Sequence, residues 1–394
     1  MGLMAPILSE GESALLALLP DTEAGDAARA LIEARGLPTR RVEAFKWSDL
    51  RAALADGVPA LDGSAGMVPA CFADALVIDF APDGLGIEGD KGAGLTIESE
   101  DSFPFDQDDI VPALAAALAP KCIVLIVSES QSAPIFLRRH PGAPMRVRLE
   151  AQAGVSVTII DTALAISGLS TALLEIDVAE GAKVTRVSLQ EGGASAIDLT
   201  HAAIEIAEGG SYEATALTFG ARFARAETFV KMSGQGASCR IDGAYLLSGS
   251  AHADATTRIT HSATGGVTRE LFKGAVKDKA RGVFQGKILV ERAAQQTDAR
   301  QNHHALMLTQ GAEVDAKPEL EIYADDVACA HGNTIGALDE NALFYMRQRG
   351  IPEAAARALL VQAFVTEVLD GVAHEGAREW LSGRVEAWMG AALI

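Results

Sequence analysis

Aromatic side chains are scarce in this chain, at 5% of 394 residues, although 49% of the residues are hydrophobic. A core of that composition is built mainly from Ala, Val, Leu and Ile, and it offers few ring platforms for sugars. Positive charge is also short. Lys and Arg number 33 against 53 Asp and Glu, which gives a net charge of −20 and a pI near 4.8. Nucleic acid is a poor partner for such a surface, because phosphate binding needs cations that displace counterions. Anionic membranes are disfavoured for the same reason. The four cysteines (Cys71, Cys122, Cys239 and Cys329) include no C-x-x-C pair, so a disulfide scaffold is not expected. The most apolar run, Cys122–Val127, is bounded by Lys121 and Ser128 and falls far short of the roughly 20 residues a bilayer helix needs. Met1 to Pro20 has no basic start and no long apolar run. A cytoplasmic protein with no secretion signal is the expectation.

Nucleotide motifs are missing too. Gly286-Lys287 is followed by Ile288, and Arg281 stands where a P-loop requires its first glycine, so no ATP site of that kind is expected. Gly84-Leu-Gly-Ile-Glu-Gly89 matches G-x-G-x-x-G. It is followed by further turn residues and a strand, whereas the dinucleotide fingerprint needs a helix there. No G-x-S-x-G elbow is present, which removes the usual serine hydrolase signature.

What the chain does have is glycine, 38 residues of it. From about Met145, short runs such as Val155–Ile159 and Lys183–Leu189 each follow a glycine turn: Gly154, Gly181, Gly209 and Gly236. Their separations are 27, 28 and 27 by subtraction, and Gly265 extends the series by 29. That period predicts a β-solenoid, whose coils bury their inner faces only by stacking on one another. A β-sandwich would supply regular strands as well, but would not require a near-constant glycine period. Helical patterns flank this region. Ser13–Leu19 and Asp26–Arg35 precede it, with Gly36-Leu-Pro38 as a stop. Val111–Leu118 reads as a helix between strands at Ala75–Phe80 and Cys122–Val127. After Gly336, Asp339 can cap a helix that ends at Gly350. A second helix opens at Ile351-Pro352, and Leu381, Val385, Trp388 and Met389 mark a third. The expected organisation is a helical region over 1–70, a mixed α/β lead-in over 71–140, a β-helix core over 141–338 and a C-terminal helical domain over 339–394.

One stretch carries candidate chemistry. In Tyr323–Gly336, Asp325, Val327, Cys329 and His331 alternate onto one strand face. A thiol and an imidazole together suit a soft or borderline metal, but they are two ligands where a tetrahedral site needs about four. The rest must come from elsewhere, including another chain. Other candidates read as structural. His303 and His304 are adjacent, so on a strand they point to opposite faces, and at least one is expected at the surface. His252 and His261 lie nine residues apart with no evident reason to meet. Cys71, Cys122 and Cys239 are expected to pack as small apolar groups.

Several of these segments also carry a family resemblance. Gly36-Leu-Pro-Thr-Arg-Arg-Val-Glu-Ala-Phe-Lys-Trp-Ser-Asp-Leu50, Gly282–Ile288, Gln296–Gln301, Lys317–Tyr323 and the Cys329-Ala-His-Gly332 element are similar to those of the SufB/SufD family. Its members are subunits of an iron–sulfur cluster assembly complex that also contains the ATPase SufC. Gly36–Leu50, with no amino-terminal cysteine motif, resembles the SufD branch. The resemblance implies a right-handed parallel β-helix with helical ends, a non-catalytic scaffold role, pairing with a SufB-like paralogue and docking of a SufC-like ATPase through the C-terminal helices. It implies that iron or an iron–sulfur cluster sits at the interface with the partner and is not held stably by this chain alone. His331 would be the ligand offered, with Cys329 the weaker candidate. Phe344, Tyr345, Arg347 and Arg349, in the Leu343–Ile351 element, would lie near the ATPase surface. Two rival readings are a purely structural β-helix homodimer and a β-helical polysaccharide-active enzyme. The latter would need paired carboxylates or an acidic calcium cluster in a groove.

Overall fold

The structure is a computed structural model that describes residues 7–60, 68–82, 84–105 and 109–392. It consists of a ten-stranded and a nine-stranded sheet facing each other, with helices on the outer face of each. From Met145 onward, consecutive strands alternate between the two sheets, and every pairing is parallel. This is a parallel β-solenoid, and the sandwich alternative fails on strand direction. Apart from an isolated antiparallel bridge between Ala221 and His252, antiparallel pairs among the described residues occur at the amino-terminal end, where Gly84–Glu88 and Leu95–Asp101 finish the two sheets. The parallel ladder also begins before residue 141, since Leu76–Ala81 already pairs in parallel with Ile135–Arg139.

The glycine period is the coil length. Gly154, Gly181, Gly209, Gly236 and Gly265 all have φ between 61 and 75°, a region that costs a residue with a Cβ about 1–2 kcal/mol. Each corner N–H donates to a carbonyl of the next coil: Gly154 to Glu180, Gly181 to Glu208, Gly209 to Gln235, Gly236 to Thr264 and Gly265 to Gln295, at 2.8–3.0 Å. The next corner has the same geometry without a glycine. Gln296 sits at φ 62° and donates to Asp326 at 2.6 Å.

Between the sheets, Ile, Val, Leu and Ala side chains form the largest core cluster. Some inward positions are ionic, including Arg139 with Asp198 at 2.9 Å, both 4% exposed, and Arg186 with Asp161 at 2.5 Å. An interior cavity of about 80 Å³ beside Arg139, Arg186 and Asp198 is room for water, not for a substrate.

Among the described residues, seven α-helices lie outside the coils. α1 (Glu10–Leu18), α2 (Glu23–Arg35), α3 (Leu50–Ala53) and α4 (Ile110–Leu118) pack through Leu15, Ile32, Leu50 and Leu114 onto Ile197, Leu199 and Phe223 of the nine-stranded sheet. α5 (Glu340–Gln348), α6 (Glu353–Leu369) and α7 (Glu375–Ala392) follow the last coil. The wide apolar surface of α6 and α7 is accounted for within the chain. Val361, Val365, Val368, Leu381 and Val385 bury against Val187, Leu189, Leu217 and Ala244 on the outer face of the ten-stranded sheet. Of the cysteines, Cys122 and Cys239 are buried as expected, but Cys71 is exposed. It lies in a short 3-10 turn whose buried side chain is the neighbouring Phe72.

Candidate metal centre at the open end of the solenoid

Cys329 and His331 lie on Ala328–Gly336, the last strand of the ten-stranded sheet, and Glu313–Ile322 is the last strand of the other. No described strand stacks beyond either one. One edge of backbone N–H and C=O groups on each therefore has no ladder partner. Of the helices that follow, α6 and α7 turn back along the outer face of the ten-stranded sheet. Inward residues of the final coil are consequently only partly covered, and Ile322 and Ile335 are 40% and 38% exposed.

Register fixes which way the candidate ligands point. Cys329, His331 and Asn333 stack on Ala299, Gln301 and His303, all buried side chains of the solenoid interior. Cys329 is half-buried against the core cluster, whereas His331 is exposed. Asp325 falls in the bend before the strand and is exposed, so it does not share their face. Burial pushes the Cys329 thiol up, an Ala299 backbone hydrogen bond opposes that, and Asp298 adds to the rise. The chain alone therefore keeps this sulfur a thiol, and thiolate ligation requires a metal or a cation brought from outside. No group of three or more metal-capable side chains occurs among the described residues. Donor chemistry fits iron or a cluster, but the donor number fits half a site.

Two buried polar chains lie directly beneath these ligands. His303 Nε2 is 2.7 Å from the Tyr245 hydroxyl and its Nδ1 is 2.7 Å from Asn333 Oδ1. Burial pushes this imidazole down to about 4, so it is neutral. Nδ1–H then donates to the amide oxygen and Nε2 accepts from the tyrosine. His304 faces the other side and is half-buried, bonded to Thr334. One column over, Gln301 Nε2 donates to Glu270 Oε2 at 2.6 Å. His252 and His261 stand at opposite ends of one strand and do not meet. Sequence reasoning passed over Glu270, Gln301 and Asn333. Carrying the coil period past Gly265 would have found them, since the stacked pairs are separated by 31 and 30 positions.

Residues 138–364 match the SufBD core domain of the SUF system for iron–sulfur cluster assembly. The chain belongs to the SufBD family. Among the relatives of this SufBD chain, the iron–sulfur cluster assembly protein SufD of Escherichia coli is 30% identical over 246 residues, 62% of this chain and 58% of that protein. An iron–sulfur cluster assembly SufBD family protein of Synechocystis is 33% identical over 198 residues, 50% of this chain and 44% of the relative. The chloroplastic protein ABCI7 of Arabidopsis thaliana is 27% identical over 348 residues, covering 80% and 73%. The chain thus spans about half the length of the first two relatives.

The other SufBD-like segments have separate structural places. Within Gly36–Leu50, Phe45 is buried under the Arg225 guanidinium at 4.1 Å, and the Ser48 hydroxyl contacts Asp254 and, at 3.0 Å, His252. Gln285 donates to the Ala44 carbonyl at 3.1 Å, and Lys317 of the last coil meets Glu43 at 2.6 Å. That motif braces successive coils of one sheet up to the open end. On α5, Leu343 is buried while Phe344 and Tyr345 are 63% and 58% exposed. Arg349 stacks on the Tyr345 ring at 4.6 Å, and Arg347 pairs with Glu353 at 3.4 Å. Two exposed aromatics are unusual in so aromatic-poor a chain. No described helix is long and apolar enough to cross a membrane.

Proposed function

We propose that this SufBD protein is a SufD-type scaffold without a catalytic centre of its own. Its open coil end pairs with a SufB-type paralogue, and iron or a nascent cluster is held between the two chains. The observation that carries this reading is the placement of Cys329 and His331 on the inward face of a terminal strand beyond which no described strand stacks. A second chain set against that end would complete the ligand set and cover the exposed Ile322 and Ile335. The unpaired strand edges suit such an end-on contact. Assembly of the site then depends on pairing, because neither half has enough donors alone. Phe344 and Tyr345 on α5 are read as the contact for a SufC-type ATPase.

The same end supports a second reading, a homodimer of this chain closed by like edges. Sedimentation of the chain alone and with the paralogue separates the two. His331→Ala tests the main reading: coil stability and partner binding should persist while cluster assembly in the complex is lost. Normal assembly by that variant would refute the ligand assignment.

A further inference from the structure

The buried chain that ends at Asn333 fixes which way that amide faces. Tyr245 and His303 are 1% and 0% exposed, and the tyrosine hydroxyl lies 2.7 Å from His303 Nε2. A buried O–H left undonated costs about 1–3 kcal/mol, so the phenol donates to Nε2 and the ring proton sits on Nδ1. Nδ1–H therefore donates to Asn333 Oδ1, also at 2.7 Å. Packing holds the rings in this order. Phe284 stacks on His303 at 4.9 Å with an interplanar angle of 1°, and a Cβ on Gly274 or Gly282 would come within 2.2 or 2.3 Å of the Tyr245 ring.

An amide that turns its oxygen inward presents its nitrogen elsewhere. Asn333 is exposed on the same strand face as His331, about 6.6 Å further along at two residues' rise. Its NH2 group has no hydrogen bond within the chain. We infer that Asn333 is a hydrogen-bond donor held at the open end for an anionic sulfur on the iron that His331 would bind, either inorganic sulfide or a thiolate of the partner chain. His303 and Tyr245 are its positioning residues. Sulfur bound to iron carries negative charge, and N–H groups aimed at it are one of the means by which a protein sets the reduction potential. An amide facing out with its oxygen would repel the same atom. The inference rests on the shared-site reading above, but the orientation of the amide is a property of this chain alone.

Two measurements test it. In the isolated full-length chain, labelled with 15N-histidine, long-range 15N–1H spectra read the His303 tautomer, and His303→Phe identifies its signal. The Nδ1–H form, the minor one in free histidine, should dominate. An Nε2–H ring would accept from the amide nitrogen, turn the amide oxygen outward and overturn the inference. The second measurement uses the proposed complex, reconstituted with the SufB-type and SufC-type subunits. There Asn333→Leu should lower the ratio of reduced to oxidised cluster about tenfold at a fixed potential, a shift of about 59 mV for one electron. His303→Phe, which keeps a ring but frees the amide, should give part of that shift. An unchanged ratio in Asn333→Leu overturns the inference. Selenide in place of sulfide should shrink the difference if sulfide is the acceptor and preserve it if a thiolate is. If the variants fail to fold, the wild-type tautomer decides. A shifted ratio in Asn333→Leu combined with normal cluster assembly by His331→Ala would refute the ligand reading and leave the donor in place.

Discussion

Replacing Glu270 with glutamine should stabilise this protein, and only at neutral to alkaline pH. The carboxyl is buried with no cation beside it, and burial pushes it up to about 7 from an ordinary value of 4.5. A folded-state value above the unfolded one means that the native state binds the proton more tightly. The contribution is fully present below pH 4.5 and is lost as pH rises through about 7. At about 1.4 kcal/mol per pH unit, the gap from 4.5 to about 7 amounts to about 3 kcal/mol of stability missing at pH 8. Glu270→Gln removes the titration and gives the bare Gln301 oxygen a permanent donor. Urea unfolding followed by circular dichroism should show the variant about 2–3 kcal/mol more stable than wild type at pH 8. At about pH 4, below the ordinary value, the two should be nearly equal. Destabilisation at both pH values, or the same gain at both, would refute a Glu270 carboxyl whose raised value comes from burial.

Further predictions concern the corners, the interior charges and α5. Gln296→Gly should raise stability by about 1 kcal/mol by relieving a left-handed corner, and Gly209→Ala should cost about 1–2 kcal/mol although its Cβ would meet nothing within 4 Å; chemical denaturation measures both. Arg139→Ala should cost about 3–5 kcal/mol, because it strands Asp198 inside the solenoid, and a loss under 1 kcal/mol by the same assay would count against a dry ion pair. Phe344→Ala with Tyr345→Ala should weaken binding of the ATPase subunit at least tenfold in a calorimetric titration without moving the melting temperature. Unchanged affinity would shift that contact away from α5.

The solenoid was legible because its corners demand a backbone that glycine adopts most cheaply, so coil length is written as glycine spacing. The legible series stops at Gly265, since Gln296 makes the following corner at φ 62° and a single glutamine gives no signal. Cys329 and His331 could be placed on one face by alternation alone. That the strand is a terminal one could not, because it depends on where α5 to α7 go. Their apolar residues fit equally well a partner surface or the chain's own sheet, and the structure spends those of α6 and α7 on Val187, Leu189 and Leu217. Removing residues 339–394 would therefore bare that sheet, and point substitutions on α5 are the cleaner probe. The polar column was hidden for a different reason. Glu270, Gln301 and His331 are 31 and 30 residues apart by subtraction, and only coil stacking makes them neighbours.

X-ray absorption at the iron edge of the proposed complex, reconstituted with the SufB-type and SufC-type subunits, tests the proposed shared site most directly. Wild type should show an imidazole scattering signature that vanishes in His331→Ala while all three subunits still co-purify. An identical iron environment in both would mean that the open end of this solenoid holds no ligand of the cluster.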